Sequence, residues 1–184
     1  MALHRTIALT IAALGLSACA AAPDAAAPSQ AAAAVPPRPP APEADGRVHG
    51  KITPADVHPA ITNLDPRLRK ALRQAAAAAS ADGVEIHVTS GWRSAAYQRR
   101  LLQEAATKYG SLEEARRFVL PPEKSAHVKG RAVDIGPPAA ADWLGRHGAT
   151  FGLCQIYANE KWHFERATTP GGHCPEKLPD ATAG

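Results

Sequence analysis

The chain has 184 residues, and its 21 Lys and Arg outnumber its 17 Asp and Glu to leave a formal charge of +4 with histidine neutral. That length holds one globular domain once an Ala- and Pro-rich N-terminal stretch is set aside. The basic residues are scattered rather than gathered into a patch, so no nucleic-acid partner is expected.

At the N-terminus, His4 and Arg5 precede an apolar run over 7–16 that is too short for a mature membrane span, the pattern of a secretory signal over 1–18. The run closes in Leu16, Ser17, Ala18 and Cys19, which resembles the lipobox of bacterial lipoproteins. That resemblance implies diacylation of Cys19, export, and anchoring to a membrane of the cell envelope. An ordinary signal peptide with an incidental cysteine is the alternative. Residues 19–47 carry few large apolar side chains and cannot offset their ordering entropy by burial, so they read as a tether. The domain is expected over 48–176, with 177–184 as a tail. With Cys19 spent on lipid, Cys154 and Cys174 form an even pair that suggests a disulfide in an oxidising compartment. Two unrelated thiols are the alternative, since neither has a close Cys or His partner of the structural-zinc kind.

Within the domain, Asp65 caps a helix that starts at Pro66 and runs to Gly83. A strand over 85–90 alternates Ile86 and Val88 with polar neighbours. Ser94 caps a helix ending at Gly110, and Ser111 with Glu114 makes a capping box for a short helix that Pro121 and Pro122 stop. A strand over 131–135, a helix over 139–147 stopped by Gly148, and a hairpin turning at 159–161 complete the chain. Helices and strands mix without βαβ regularity, so the fold class is α+β, a small antiparallel sheet with helices on one side. Trp92, Trp143, Trp162, Phe151 and Phe164 are expected in the core.

The stretch 125–136, SAHVKGRAVDIG, carries the first chemical signal. His127 precedes a turn at Gly130, and Asp134 sits in an otherwise apolar strand, where a carboxylate is costly unless paired. A metal ion and a salt-bridged His–Asp pair are the two readings of this stretch alone. In 159–165, NEKWHFE, Glu160 falls in the turn and His163 opens the returning strand. The turn lets Glu160 lean over a metal held by His163. Two His and one Asp then leave a fourth position open, as catalytic zinc sites do. His49, His58, His87, His147 and His173 have no partner at metal spacing, and Ser90, Ser94 and Ser125 lack the context of a serine hydrolase.

The three blocks SGWRS, SAHVKGRAVDIGP and EKWHFE, in this order, resemble the D-alanyl-D-alanine carboxypeptidases of the VanX and VanY type, with the hedgehog/DD-peptidase fold. The resemblance implies zinc held by His127, Asp134 and His163, Glu160 as general base, and Arg93 stabilising the transition state or gripping the substrate carboxylate. Ser125 and Gln98 are candidates for substrate hydrogen bonds. The implied substrate is the peptidoglycan stem peptide, and a monomer is expected. An L,D-carboxypeptidase or endopeptidase of the same fold, and a non-catalytic wall-binding module, are the rival readings.

Overall fold

The computed structural model describes residues 42–184. The expected leader, Cys19 and most of the tether lie outside these residues. The first long helix forms where its caps are written. Asp65 Oδ1 accepts from the backbone N–H groups of Arg67 and Leu68 at 2.8 and 3.1 Å, satisfying donors that a helix start leaves free. Helix α2 (Pro66–Ala81) then buries Leu68, Leu72, Ala75 and Ala79 on one stripe. It follows a single unexpected turn, α1 (Pro59–Thr62), capped by His58. Ser94 caps α3 (Ala95–Tyr109) through the Tyr97 N–H at 3.0 Å, and Gly110 ends it in the left-handed conformation. Ser111 caps α4 (Leu112–Arg116) through Glu114. The Glu114 carboxylate turns to Arg117 at 3.1 Å, and the helix is shorter than its sequence suggests.

Strands β1 (His87–Ser90), β2 (Ala132–Gly136), β3 (Leu153–Gln155) and β4 (His163–Arg166) form one antiparallel sheet in the order β1-β2-β4-β3. Helix α2 and helix α5 (Pro138–His147) pack with Val88, Val133, Ile135, Leu153 and Phe164 in one core. Because side chains alternate across a strand, Val133, Ile135 and Phe164 enter this core while Asp134 and His163 face the other way.

Three expectations are corrected. The β3–β4 connection is not a tight turn at 159–161. The last paired residues are Gln155 and Phe164, so 156–162 form a longer loop that closes with His163 N–H donating to Glu160 O at 3.0 Å. Trp162 is 42% exposed rather than core, because it belongs to that loop. The domain also reaches past both expected edges. Asp45 is buried, ion-paired to Arg100, and its carbonyl accepts from Ser94 N–H at 2.9 Å. At the other end Asp180 and Ala181 are buried. The Cys154–Cys174 disulfide is present, with S–S 2.02 Å.

Candidate active site

Asp134 and His163 are register partners on neighbouring strands, which sets Asp134 Oδ1 3.2 Å from His163 Nδ1. His127 reaches them from the loop ahead of β2. That loop closes on Gly130, whose φ of 67° is open to glycine at little cost and whose carbonyl accepts from Asp65 N–H at 2.8 Å. A side chain at Gly130 would bring its Cβ to 2.6 Å from the Asn63 carbonyl, so the turn is held against the start of α2.

His127 Nδ1–H donates to Gly91 O at 2.8 Å. Its Nε2 is thereby left as a lone pair, 3.3 Å from His163 Nδ1 and 3.4 Å from Asp134 Oδ1. His163 Nε2 in turn faces Glu165 Oε1 at 3.1 Å. Both rings thus have their far nitrogen tied to an oxygen and their near nitrogen aimed at one point, the usual tuning of metal-binding imidazoles. Four ligands at about 2.0–2.1 Å on a tetrahedron stand about 3.3 Å apart. The three separations here are 3.2, 3.3 and 3.4 Å. The donor set and its spacing therefore fit zinc. Among the described residues His127, Asp134 and His163 are the group placed to hold a metal ion.

The charges are arranged to suit. Burial opposes ionisation of Asp134, but His127, His163 and Arg93 outweigh it and hold the carboxyl well below its usual range. Burial also works against a charged His163, yet its bonds to Asp134 and Glu165 push the imidazole up to about 9. Burial and the nearby Arg93 cation lower His127. Glu160 is pushed up to about 7, chiefly by burial, and its Oε1 has no hydrogen-bond partner within the protein.

Arg93 donates from Nη2 to Asp134 Oδ2 at 2.8 Å, from Nε to Ser90 Oγ at 2.7 Å and from Nη1 to Gln98 Oε1 at 3.2 Å. With three donors engaged, two of its five N–H groups remain free. Gln98 is 1% exposed and its other end donates to Leu120 O at 2.8 Å. One lone pair and one N–H of its amide thus locate Arg93, a positioning role beside the substrate contact expected of it, and Gln98 also lines the cavity. Ser125 is buried at the cavity, with Oγ accepting from Val128 N–H at 3.4 Å.

The site thus gathers Arg93, Ser125, His127, Glu160 and His163 around one cavity with Asp134 beneath them. Sequence reading missed Ser90, Tyr157, Glu165 and Ala181. Glu165 was within reach, since it lies two residues beyond His163 on a strand and shares its face. Tyr157, with its ring 5.1 Å from His163, and Ala181, which lines the same cavity, carried no local signal.

The comparisons with known proteins point the same way. The family model for VanY, D-alanyl-D-alanine carboxypeptidase, matches residues 61–168. A D-alanyl-D-alanine carboxypeptidase of Enterococcus faecalis (strain ATCC 700802 / V583) is 29% identical over 126 residues, 55% of this chain and 47% of the relative. The chain therefore spans about half the length of that curated relative. The solved structure of VanYB in complex with D-alanine-D-alanine is 28% identical, with a TM-score of 0.52 over 55% of this chain and 70% of that one. The vancomycin-resistance D,D-pentapeptidase VanY in complex with Zn(II) shares the fold at a TM-score of 0.54 and 24% identity, over 65% of this chain and 79% of that one. The matched family region covers more than half of the 184 residues and includes Arg93, His127, Asp134, Glu160 and His163, and the chain belongs to the VanY D-alanyl-D-alanine carboxypeptidase family.

Proposed function

We propose that this chain is a zinc D-alanyl-D-alanine carboxypeptidase that removes the terminal D-alanine from peptidoglycan stem peptides. The observation that carries the reading is the buried, unpartnered Oε1 of Glu160 beside three ligand atoms at zinc spacing. A binding module has no use for such a carboxylate. The ligands would be His127 Nε2, His163 Nδ1 and Asp134 Oδ1. Zinc at this position supplies Lewis acidity, polarising a carbonyl oxygen and acidifying a water.

The chain's own residues do the rest. Glu160 takes the proton of the attacking water and returns it to the departing amine, work suited to a carboxyl lifted to about 7. It acts only when ionised, so turnover falls as pH drops through its pKa, which a nearby cation moves below about 7. The two free N–H groups of Arg93 serve the oxyanion that develops on the scissile carbonyl. Ser125, which lines the cavity, would donate its Oγ–H to the peptide, and Tyr157, raised to about 12 chiefly by burial, keeps its phenolic proton throughout.

Export and lipid anchoring at Cys19 belong to the same proposal. The Cys154–Cys174 disulfide supports an oxidising compartment, and the Leu16–Cys19 pattern supports the anchor. The test is hydrolysis of matched pentapeptide and tetrapeptide stems by zinc-loaded protein. Release of one D-alanine from the pentapeptide is expected. Glu160→Gln should retain zinc and lose about 10²- to 10⁴-fold in kcat. Turnover of the tetrapeptide alone would make the enzyme an L,D-carboxypeptidase, and turnover of neither would make it a wall-binding protein.

A further inference from the structure

Residues 178–183, part of the expected tail over 177–184, build one wall of the site. Leu178 bridges Tyr157 in parallel, with Ala158 N–H donating to Leu178 O at 2.8 Å and Leu178 N–H to Ile156 O at 2.9 Å. Asp180 then accepts from Arg117 Nε at 2.9 Å and from the N–H and hydroxyl of Thr182 at 2.9 and 2.6 Å. Ala181 N–H donates to Arg117 O at 3.3 Å. These bonds bury Ala181 against the cavity of Glu160, His127 and His163.

That cavity measures about 30 Å³, room for one water. On the far side of Ala181 lies a groove of about 480 Å³ along α4 and residues 120–124, edged by Arg116, Glu123 and Lys124. Leu120 and Ala181 line both spaces, so the two are neighbours across these residues. The disulfide at Cys174 anchors the chain ahead of the segment, the backbone bonds of Leu178 hold its start, and its outer latch, Arg117, is half exposed. An ion pair of that kind is weak and opens readily.

Resting on the carboxypeptidase reading, the geometry points to residues 178–183 as a movable wall of the substrate cleft, and to the α4 groove as the subsite for the acyl-side residues of a stem peptide. Latched, the wall leaves room for about one water beside the reacting groups. Swung aside, it joins the cavity to the groove and admits the peptide chain. Apparent affinity is reduced by the fraction of molecules that are latched.

The test uses full-length zinc-loaded protein and the variants Asp180→Asn and Lys124→Glu. Asp180→Asn should speed amide exchange at residues 178–182 and capture of zinc by a chelator about two- to fivefold, and lower KM for a pentapeptide stem by a similar factor at unchanged kcat. The double variant Asp180→Asn with Arg117→Gln should go no further than the single, since both break one latch. Lys124→Glu should shift KM for the pentapeptide about threefold or more and leave free D-Ala-D-Ala unaffected, because the dipeptide has nothing to lay in the groove. Unchanged exchange and chelation in Asp180→Asn overturn the wall, and equal effects of Lys124→Glu on both substrates overturn the subsite. Faster exchange and chelation in a protein that cleaves neither peptide would support the wall while removing the carboxypeptidase reading.

Discussion

Asp134 is shared between two tasks. Its Oδ1 faces both histidines, while its Oδ2 accepts from Arg93, so the carboxylate placed where it could hold a metal also holds the Arg93 guanidinium. In the metal-free protein the proton of His163 stands in for the cation. Pushed up to about 9, the imidazole lies above its ordinary value of about 6.5, so this interaction stabilises the metal-free fold fully below about pH 6.5 and is lost as pH rises through about 9. Zinc has to displace that proton. Between pH 7 and 9 the apparent zinc affinity should therefore rise about tenfold per pH unit and then level off. Calorimetry in two buffers of different ionisation enthalpy should report about one proton released per zinc at pH 7. No proton release at that pH would mean that His163 is neutral before the metal arrives.

At the scale of elements, the β3–β4 hairpin delivers Glu160 and His163 together, and its loop is longer than a tight turn allows. Order in that loop comes from outside it. Gln155 Nε2 donates to Lys161 O at 2.6 Å, Asn159 Nδ2 to Arg117 O at 3.1 Å, and the segment beyond β4 bridges it at Leu178. The disulfide ties that segment back to β3 across a separation of 20 residues, for which restriction of the unfolded chain is worth about 3 kcal/mol. Cys174→Ala with Cys154→Ala should lower unfolding stability by about that amount in urea titrations. Zinc content should hold, since no ligand sits on the bridged cysteines.

The whole molecule separates its core from its chemistry. The main core lies on the helix-covered face of the sheet and includes none of His127, Asp134, Glu160 and His163. The secondary structure is therefore expected to persist without the metal, at lower stability. Chelation should abolish hydrolysis while the far-ultraviolet circular dichroism stays as it is. The melting temperature should fall by about 5–10 °C from its value in zinc at 100 times Kd, where binding adds about 2.7 kcal/mol. A chelated protein without secondary structure would place the site inside the folding unit.

Much of this protein was legible before folding was considered. Caps at Asp65, Ser94 and Ser111 and the alternation around Val88 and Val133 are local signals, carried by neighbours in the chain. The candidate ligands, the candidate base and Arg93 stood out because their spacing resembles a known pattern, and the fold brings them together around one cavity. What only the tertiary structure decided involves segments far apart in sequence. That the Gln98 amide also ties Arg93 to Leu120 is visible only once those distant residues meet. Residues 178–183 looked like a tail because short runs of small and polar residues offer no amphipathic period, and their order comes from Arg117 and the 156–158 backbone. Sequence patterns specify what each residue can do chemically and which local structure it favours. Enclosure of the site is a long-range property, set by which distant surfaces meet when the core forms.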